Sequence, residues 1–230
     1  MEHINVVISG FDPYEDVTIN PAFEVPKALQ ERGIWDDSQD STNLSQDVEV
    51  NVHAVNIPVS FAKAWPLLRE TLEATKPDIV IATGLKHSAR SVMLERCATN
   101  LMDAAKPDAD NATPRRMPID EHGPAAYWTR LPLRAILRYF AKQGIPSSLS
   151  SDAGTYVCNS LFYSLLHWTV NRENVLAGFV SFPPINDDPH AERGLSLDQQ
   201  IKAGQAVVRK AVWYYLHPSS GNILLDEARD

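Results

Sequence analysis

Two cysteines in 230 residues exclude a disulfide scaffold, because Cys97 and Cys158 could close a single bridge at most. No uninterrupted apolar run approaches the roughly 18 residues that mark a membrane-spanning helix. The opening Met1-Glu2-His3-Ile4-Asn5 has neither the basic start nor the apolar core of a secretory signal, so the expected setting is the reducing cytoplasm. Basic residues are the minority, 21 Lys and Arg against 29 Asp and Glu, for a net charge of −8. Without clustered cations to neutralise phosphates, nucleic acid is not an expected partner. No compact group of Cys and His has zinc-ligand spacing, no cofactor is implied, and no internal repeat is visible.

What is present is a chain that is 44% hydrophobic, enough for one α/β domain spanning residues 1–230. Short β-rich runs alternate with helical patterns. Ile4 to Ser9 reads as a strand, and Pro21 to Arg32 as a helix with Asn20 as cap and Pro21 at its first position. The polar stretch from Asp36 to Asp47 reads as a surface excursion before a strand from Val48 to Ile57. Ser60 is the expected cap of a helix carrying Phe61, Ala64, Trp65, Leu68 and Leu72 at helical spacing. The continuous apolar run from Asp78 to Gly84 suits a central strand covered on both faces. Val92 to Asn100 reads as one further strand, and Ala104 to His122 as a long loop of the kind that often carries function.

The second half repeats the pattern: helices over Leu131 to Lys142, Val157 to Val170 and Leu195 to Tyr215, and strands over Ser147 to Ser150 and Val175 to Phe182. The alternation predicts a three-layer α/β/α fold, with the strand order left open.

Cys158 stands where a polar turn, Ser151 to Thr155, runs into the apolar helix. Free N–H groups and partial positive charge at a helix start favour a thiolate, which is the reactive form of cysteine. The alternative is a buried cysteine acting as a small hydrophobe.

Six strings carry a resemblance across nearly the whole chain: Gly10-Phe11-Asp12-Pro13-Tyr14 with Asn20-Pro21, Ile57-Pro58-Val59-Ser60-Phe61, Lys76-Pro77-Asp78, Glu95-Arg96-Cys97-Ala98-Thr99-Asn100, Gly123 to Trp128, and Ala153 to Asn159. In this order and spacing the chain resembles the pyroglutamyl peptidase I family, the pyrrolidone-carboxylate peptidases. The resemblance implies a single domain with a mixed central sheet of the phosphorylase/hydrolase-like kind. It also implies a cytosolic homotetramer that removes N-terminal pyroglutamate from a peptide or amide, using a Cys, His and Glu triad. On this resemblance Cys158 is the nucleophile, forming a thioester, and Glu95 the carboxylate that orients the histidine. Phe11, Tyr14 and Tyr156 match aromatics around the flat lactam ring, although each alone would read as core. Asn20 holds the loop from Gly10 to Pro21, and its capping role alone would explain it.

Three stretches depart from the family's pattern, the mildest being the turn before the glutamate, here Leu85-Lys86-His87-Ser88-Ala89-Arg90, bulkier and more basic than the family's glycine-rich one. Where its GFxHxP motif places the catalytic histidine, the chain has Gly178-Phe179-Val180-Ser181-Phe182-Pro183, so Ser181 occupies the imidazole's place. A serine neither accepts the thiol proton near neutral pH nor returns it to a leaving amine. Where the family has Asp-Ala-Arg, the chain has Asp103-Ala104-Ala105; Lys106 follows, and on an extended segment it would point the other way. His87 and His190 are the candidates for a relocated base. Two readings stay open: a divergent hydrolase, slow or acting on another substrate, and a catalytically silent relative serving as a binding or assembly module.

Overall fold

The side chains of β1 (Glu2–Phe11) divide the interior in two: Ile4, Val6 and Ile8 face one side, and Val7 and Phe11 the other. The structure is a computed structural model that describes residues 2–14, 17, 19–35, 48–186 and 194–218. The segment 36–47, read as a surface excursion, lies outside the described residues.

After β1 come α1 (Pro21–Arg32), β2 (Val48–Ile57), α2 (Ala64–Thr75), β3 (Ile79–Leu85), β4 (Val92–Glu95), β5 (Cys97–Thr99) and β6 (Ala126–Trp128). The chain continues through α3 (Leu133–Lys142), β7 (Ser147–Ser150), α4 (Val157–Thr169), β8 (Leu176–Phe182) and α5 (Leu197–Leu216). Six strands form one sheet in the order β2-β1-β3-β8-β4-β7, and the β4–β8 pairing is antiparallel while the others are parallel. Helices α1, α3 and α5 cover one face; α2 and α4 cover the other. The architecture is therefore three-layered with a mixed central sheet, because the central strands β1, β3 and β8 bury both of their faces.

Two expected elements differ. Val92 to Asn100 is two strands, not one. At Arg96 the chain leaves the main sheet: its N–H donates to the Ser150 carbonyl (2.7 Å), while its own carbonyl accepts from Thr129 (2.8 Å) and starts the separate β5–β6 ribbon. The second helix begins at Ala64 rather than Phe61. Ser60 does accept the Lys63 N–H on its hydroxyl (3.1 Å), but residues 61–63 form only a turn, tied to the long loop by the Phe61 N–H donating to Asp108 (2.8 Å).

That loop, with no regular element between residues 104 and 122, is organised from within. The buried carboxylate of Asp108 accepts from the amides of Asp110 (2.9 Å) and Ala112 (2.8 Å) as well as from Phe61. Asn100 closes the other end by accepting from Ile119 (2.7 Å) and Asp120 (2.9 Å) and donating to the Asp120 carbonyl (2.7 Å).

The end of β1 meets the start of α1 without an intervening side chain. Asn20, 5% exposed, accepts the Ala22 N–H (3.0 Å) and donates to the carbonyls of Phe11 (2.9 Å) and Asp12 (3.2 Å), which clamps the loop across Gly10. A Cβ on Gly10 would lie 1.4 Å from the Ala22 carbonyl oxygen. Backbone cannot give way as a flexible side chain can, so Gly10→Ala should destabilise the fold by about 3 kcal/mol, read as a lower midpoint in urea unfolding.

Candidate active site

Strand alternation places the chemistry on the α4 face. On β3, Ile79 and Ile81 pack towards α1 and α5, so Gly84 follows Val80 and Ala82 to the opposite side. Likewise Ser181 follows Ala177 and Phe179 on β8, and Glu95 opposes Val92 and Leu94 on β4. Gly84 pairs with Ser181 in register. Its missing side chain makes room for sulfur: a Cβ there would come within 2.8 Å of both Cys158 Sγ and the Phe179 ring. Cys158, Gly84, Ser181 and Glu95 thus meet at one corner, between the strand ends and the first turn of α4.

Within it, the Ser181 hydroxyl donates to Glu95 Oε1 at 2.7 Å. Glu95 is fully buried, and its Oε2 has no hydrogen-bond partner. Burial pushes its carboxyl above the ordinary 4.5; the hydroxyls of Ser150 and Ser181 and the Lys86 ammonium act against that rise, while Asp152 adds to it.

Cys158 sits one residue inside α4, after Val157. Burial first, and the Glu95 charge second, push its thiol up to about 12, although its own backbone N–H and Lys86 pull the other way. The helix start does favour the anion, as expected from the sequence, but packing against Gly84 and Phe179 beside a carboxylate outweighs it, even though the half-buried thiol faces the pocket. The second thiol, Cys97, is buried on β5 and directed at the Ser151 carbonyl (3.8 Å).

Above the sulfur lies a pocket of about 140 Å³, lined by Phe11, Tyr14, Asn20, Tyr156, Cys158 and Lys106, among others. Phe11 is 3% exposed and closes the base, sharing the core behind it. Both tyrosine hydroxyls donate to the Pro107 carbonyl, Tyr14 at 3.0 Å and Tyr156 at 2.8 Å, so one loop atom fixes two walls. Phe61 packs edge-on against Tyr156 with ring centroids 5.3 Å apart.

The expectation that Lys106 points away from the pocket is overturned. Residues 105 and 106 form a bend, not an extended segment, so alternation does not apply. Ala105 is exposed, whereas the Lys106 ammonium lies 5.6 Å from the Tyr14 ring centre and 5.8 Å from that of Tyr156. His87 also lines the pocket from an exposed position after β3; His190 lies outside the described residues. Of the other histidines, His167 shares a hydrogen bond with the Tyr127 hydroxyl (2.8 Å). Among the described residues no cluster of His, Cys, Asp and Glu is arranged to hold a metal, and no helix is long and apolar enough to cross a membrane.

The site holds several residues the sequence reading did not single out. Asn159, next to the thiol, donates to the carbonyls of Thr99 (2.8 Å) and Leu101 (3.1 Å) and accepts from the Thr99 amide (3.0 Å), binding α4 to β5. Its place in a matched string was the available signal. Lys86 stood in the basic turn that departs from the family's pattern, with no role assigned to it, and the Pro107 carbonyl left no signal.

Comparison with known proteins agrees with this geometry. The family model for pyroglutamyl peptidase matches residues 4–213. The chain belongs to the pyroglutamyl peptidase family. Pyrrolidone-carboxylate peptidase of Bacillus mycoides is 37% identical over 179 residues, 77% of each chain, and that of Bacillus cytotoxicus 35% identical over 211 residues, 90% of this chain and 92% of the relative. The solved structure of Bacillus amyloliquefaciens pyroglutamyl peptidase I superposes with a TM-score of 0.80 at 32% identity, covering 92% of this chain and 98% of the other. The pyrrolidone carboxyl peptidase of Thermococcus litoralis gives 0.79 at 30% identity, covering 99% and 97%. Family and fold together support a pyroglutamyl-peptidase function.

The buried carboxyl has a consequence for stability. The folded chain holds the Glu95 proton more tightly than the unfolded chain, so stability falls as pH rises from about 4.5 through the folded carboxyl's higher pKa. Glu95→Gln cannot ionise. Urea unfolding of the two proteins should show the wild type losing ground to Glu95→Gln between pH 4 and pH 7; parallel stability profiles would mean that Glu95 titrates normally.

Proposed function

We propose that this chain is a cysteine exopeptidase that removes N-terminal pyroglutamate at a sharply reduced rate. The lactam ring lies between Tyr14 and Tyr156 over Phe11, with Asn20 holding the stretch that carries Phe11 and Tyr14. Cys158 is the nucleophile: its sulfur adds to the pyroglutamyl carbonyl, its proton goes to the departing amine, and water then cleaves the thioester to release pyroglutamate and the thiol. The family resemblance supports a cytoplasmic setting and a homotetramer as part of this proposal.

The reduced rate rests on one observation, the Ser181 hydroxyl bonded to Glu95 where the relatives' motif has histidine. Loss of a general acid–base group costs about 10² to 10⁴ in rate. The thiol state adds to this, since burial and the Glu95 charge push its pKa up to about 12 and keep the thiolate scarce at pH 7. Glu95, whose part in a triad is to orient an imidazole, here holds a hydroxyl that cannot carry the proton.

The neutral thiol equally favours the second reading, a silent relative that keeps the ring pocket as a binding or assembly module. Hydrolysis of a pyroglutamyl amide separates the two. The wild type should turn over about 10² to 10⁴ times more slowly than a complete triad, Cys158→Ala should abolish the remainder, and Ser181→His combined with Ala105→Arg should restore most of it. A wild type indistinguishable from Cys158→Ala would favour the silent relative, and full wild-type activity would contradict the reduced rate.

A further inference from the structure

We propose that Lys86 supplies, from the end of β3, the positive charge that an imidazolium would otherwise hold beside the Cys158 thiolate. The geometry begins at Gly84, whose bare face accommodates the sulfur. Two residues on, the Lys86 N–H donates to the Phe182 carbonyl (2.8 Å), which places Lys86 next to Ser181 at the mouth of the same corner. Its ammonium donates to the Asp152 carbonyl at 2.6 Å, in the turn that feeds α4 and so Cys158. One side chain thus bridges the strand that makes room for the sulfur and the segment that delivers it.

Lys86 is a positioning residue. An ammonium cannot accept the thiol proton; it can lower the cost of the anion once solvent has taken that proton. Lys86 favours the charged form of both Cys158 and Glu95, so it acts on both remaining members of the family triad. The other charged groups facing the sulfur are Glu95 on β4, Asp152 before α4, and Asp12, His87 and Lys106 around the pocket. Of these, Lys86 alone is tied to both β3 and the turn before α4.

The inference rests on Cys158 as the reacting atom but not on peptide turnover, and alkylation reads that atom directly. With iodoacetamide the thiolate sulfur displaces iodide, a carbon–sulfur bond forms, and the thiol proton passes to solvent. The rate at Cys158 is followed by peptide mass spectrometry on the full-length protein, with Cys97 resolved as a separate peptide. Lys86→Met removes charge and donor, Lys86→Gln keeps a donor, and Lys86→Arg keeps the charge. Lys86 is half-buried, and losing one hydrogen bond costs about 1 kcal/mol, so the variants should fold.

At pH 9 the Met and Gln variants should react about tenfold more slowly than wild type, with their rate–pH curves displaced upwards, while Arg stays within about threefold. Unchanged rates in Lys86→Met would overturn the proposal. So would a Gln variant that behaves as wild type, or an Arg variant as slow as Met, since the side chain would then matter only as a tie to Asp152. A Cys158 whose alkylation rate does not rise between pH 7 and pH 10 would overturn the reading on which the proposal rests.

Discussion

A carboxyl group with no access to water, set beside a thiol against the bare face of Gly84, governs this site. Glu95 is held by the Ser181 hydroxyl on one oxygen and by nothing on the other. An unpaired buried acceptor is costly, and a buried charge more so, which is why the carboxyl holds its proton more tightly than usual; once ionised, its like charge repels a thiolate. The same dryness that would strengthen every interaction with a substrate suppresses the nucleophile that must react with it. Without a proton acceptor between them, carboxylate and thiol oppose each other.

The pocket above that corner is built by a different logic. Its walls belong to distant parts of the chain, Tyr14 after β1 and Tyr156 before α4, and the Pro107 carbonyl joins them. Pro107 is held in place because the adjacent Asp108 carboxylate satisfies three backbone amides. An irregular loop of this length carries many polar backbone groups, and Asp108 and Asn100 answer for the ones that face inwards. The bend at 105–106 then carries Lys106 against both rings, so the loop sets the electrostatics of the pocket as well as its shape.

The sequence revealed the layers because β-rich runs alternate with helical patterns along it, and a continuous apolar run such as that of β3 is a direct consequence of burying both faces of a central strand. The cap at Asn20 was legible for a related reason, since a polar side chain before an apolar periodic run has few other uses. Val92 to Asn100 was misread because the switch at Arg96 is made by partners on β7 and β6 that no local pattern reports. Lys106 was misread because alternation was applied to a segment that bends. The positions of Cys158, Glu95 and Ser181 were legible in the matched strings, but the balance between helix start and burial was not. The burial depends on Gly84 of β3 and Phe179 and Ser181 of β8 converging on the start of α4.

The most direct test of the account is the ionisation of Cys158 itself, followed as thiolate absorbance near 240 nm in the wild type minus Cys158→Ala across the pH range over which both stay folded. The account predicts no ionisation step between pH 6 and pH 10, as a thiol pushed up to about 12 requires. A step centred below pH 8 would contradict it, since the buried carboxyl and the Ser181 hydroxyl would then be supporting an activated thiolate after all.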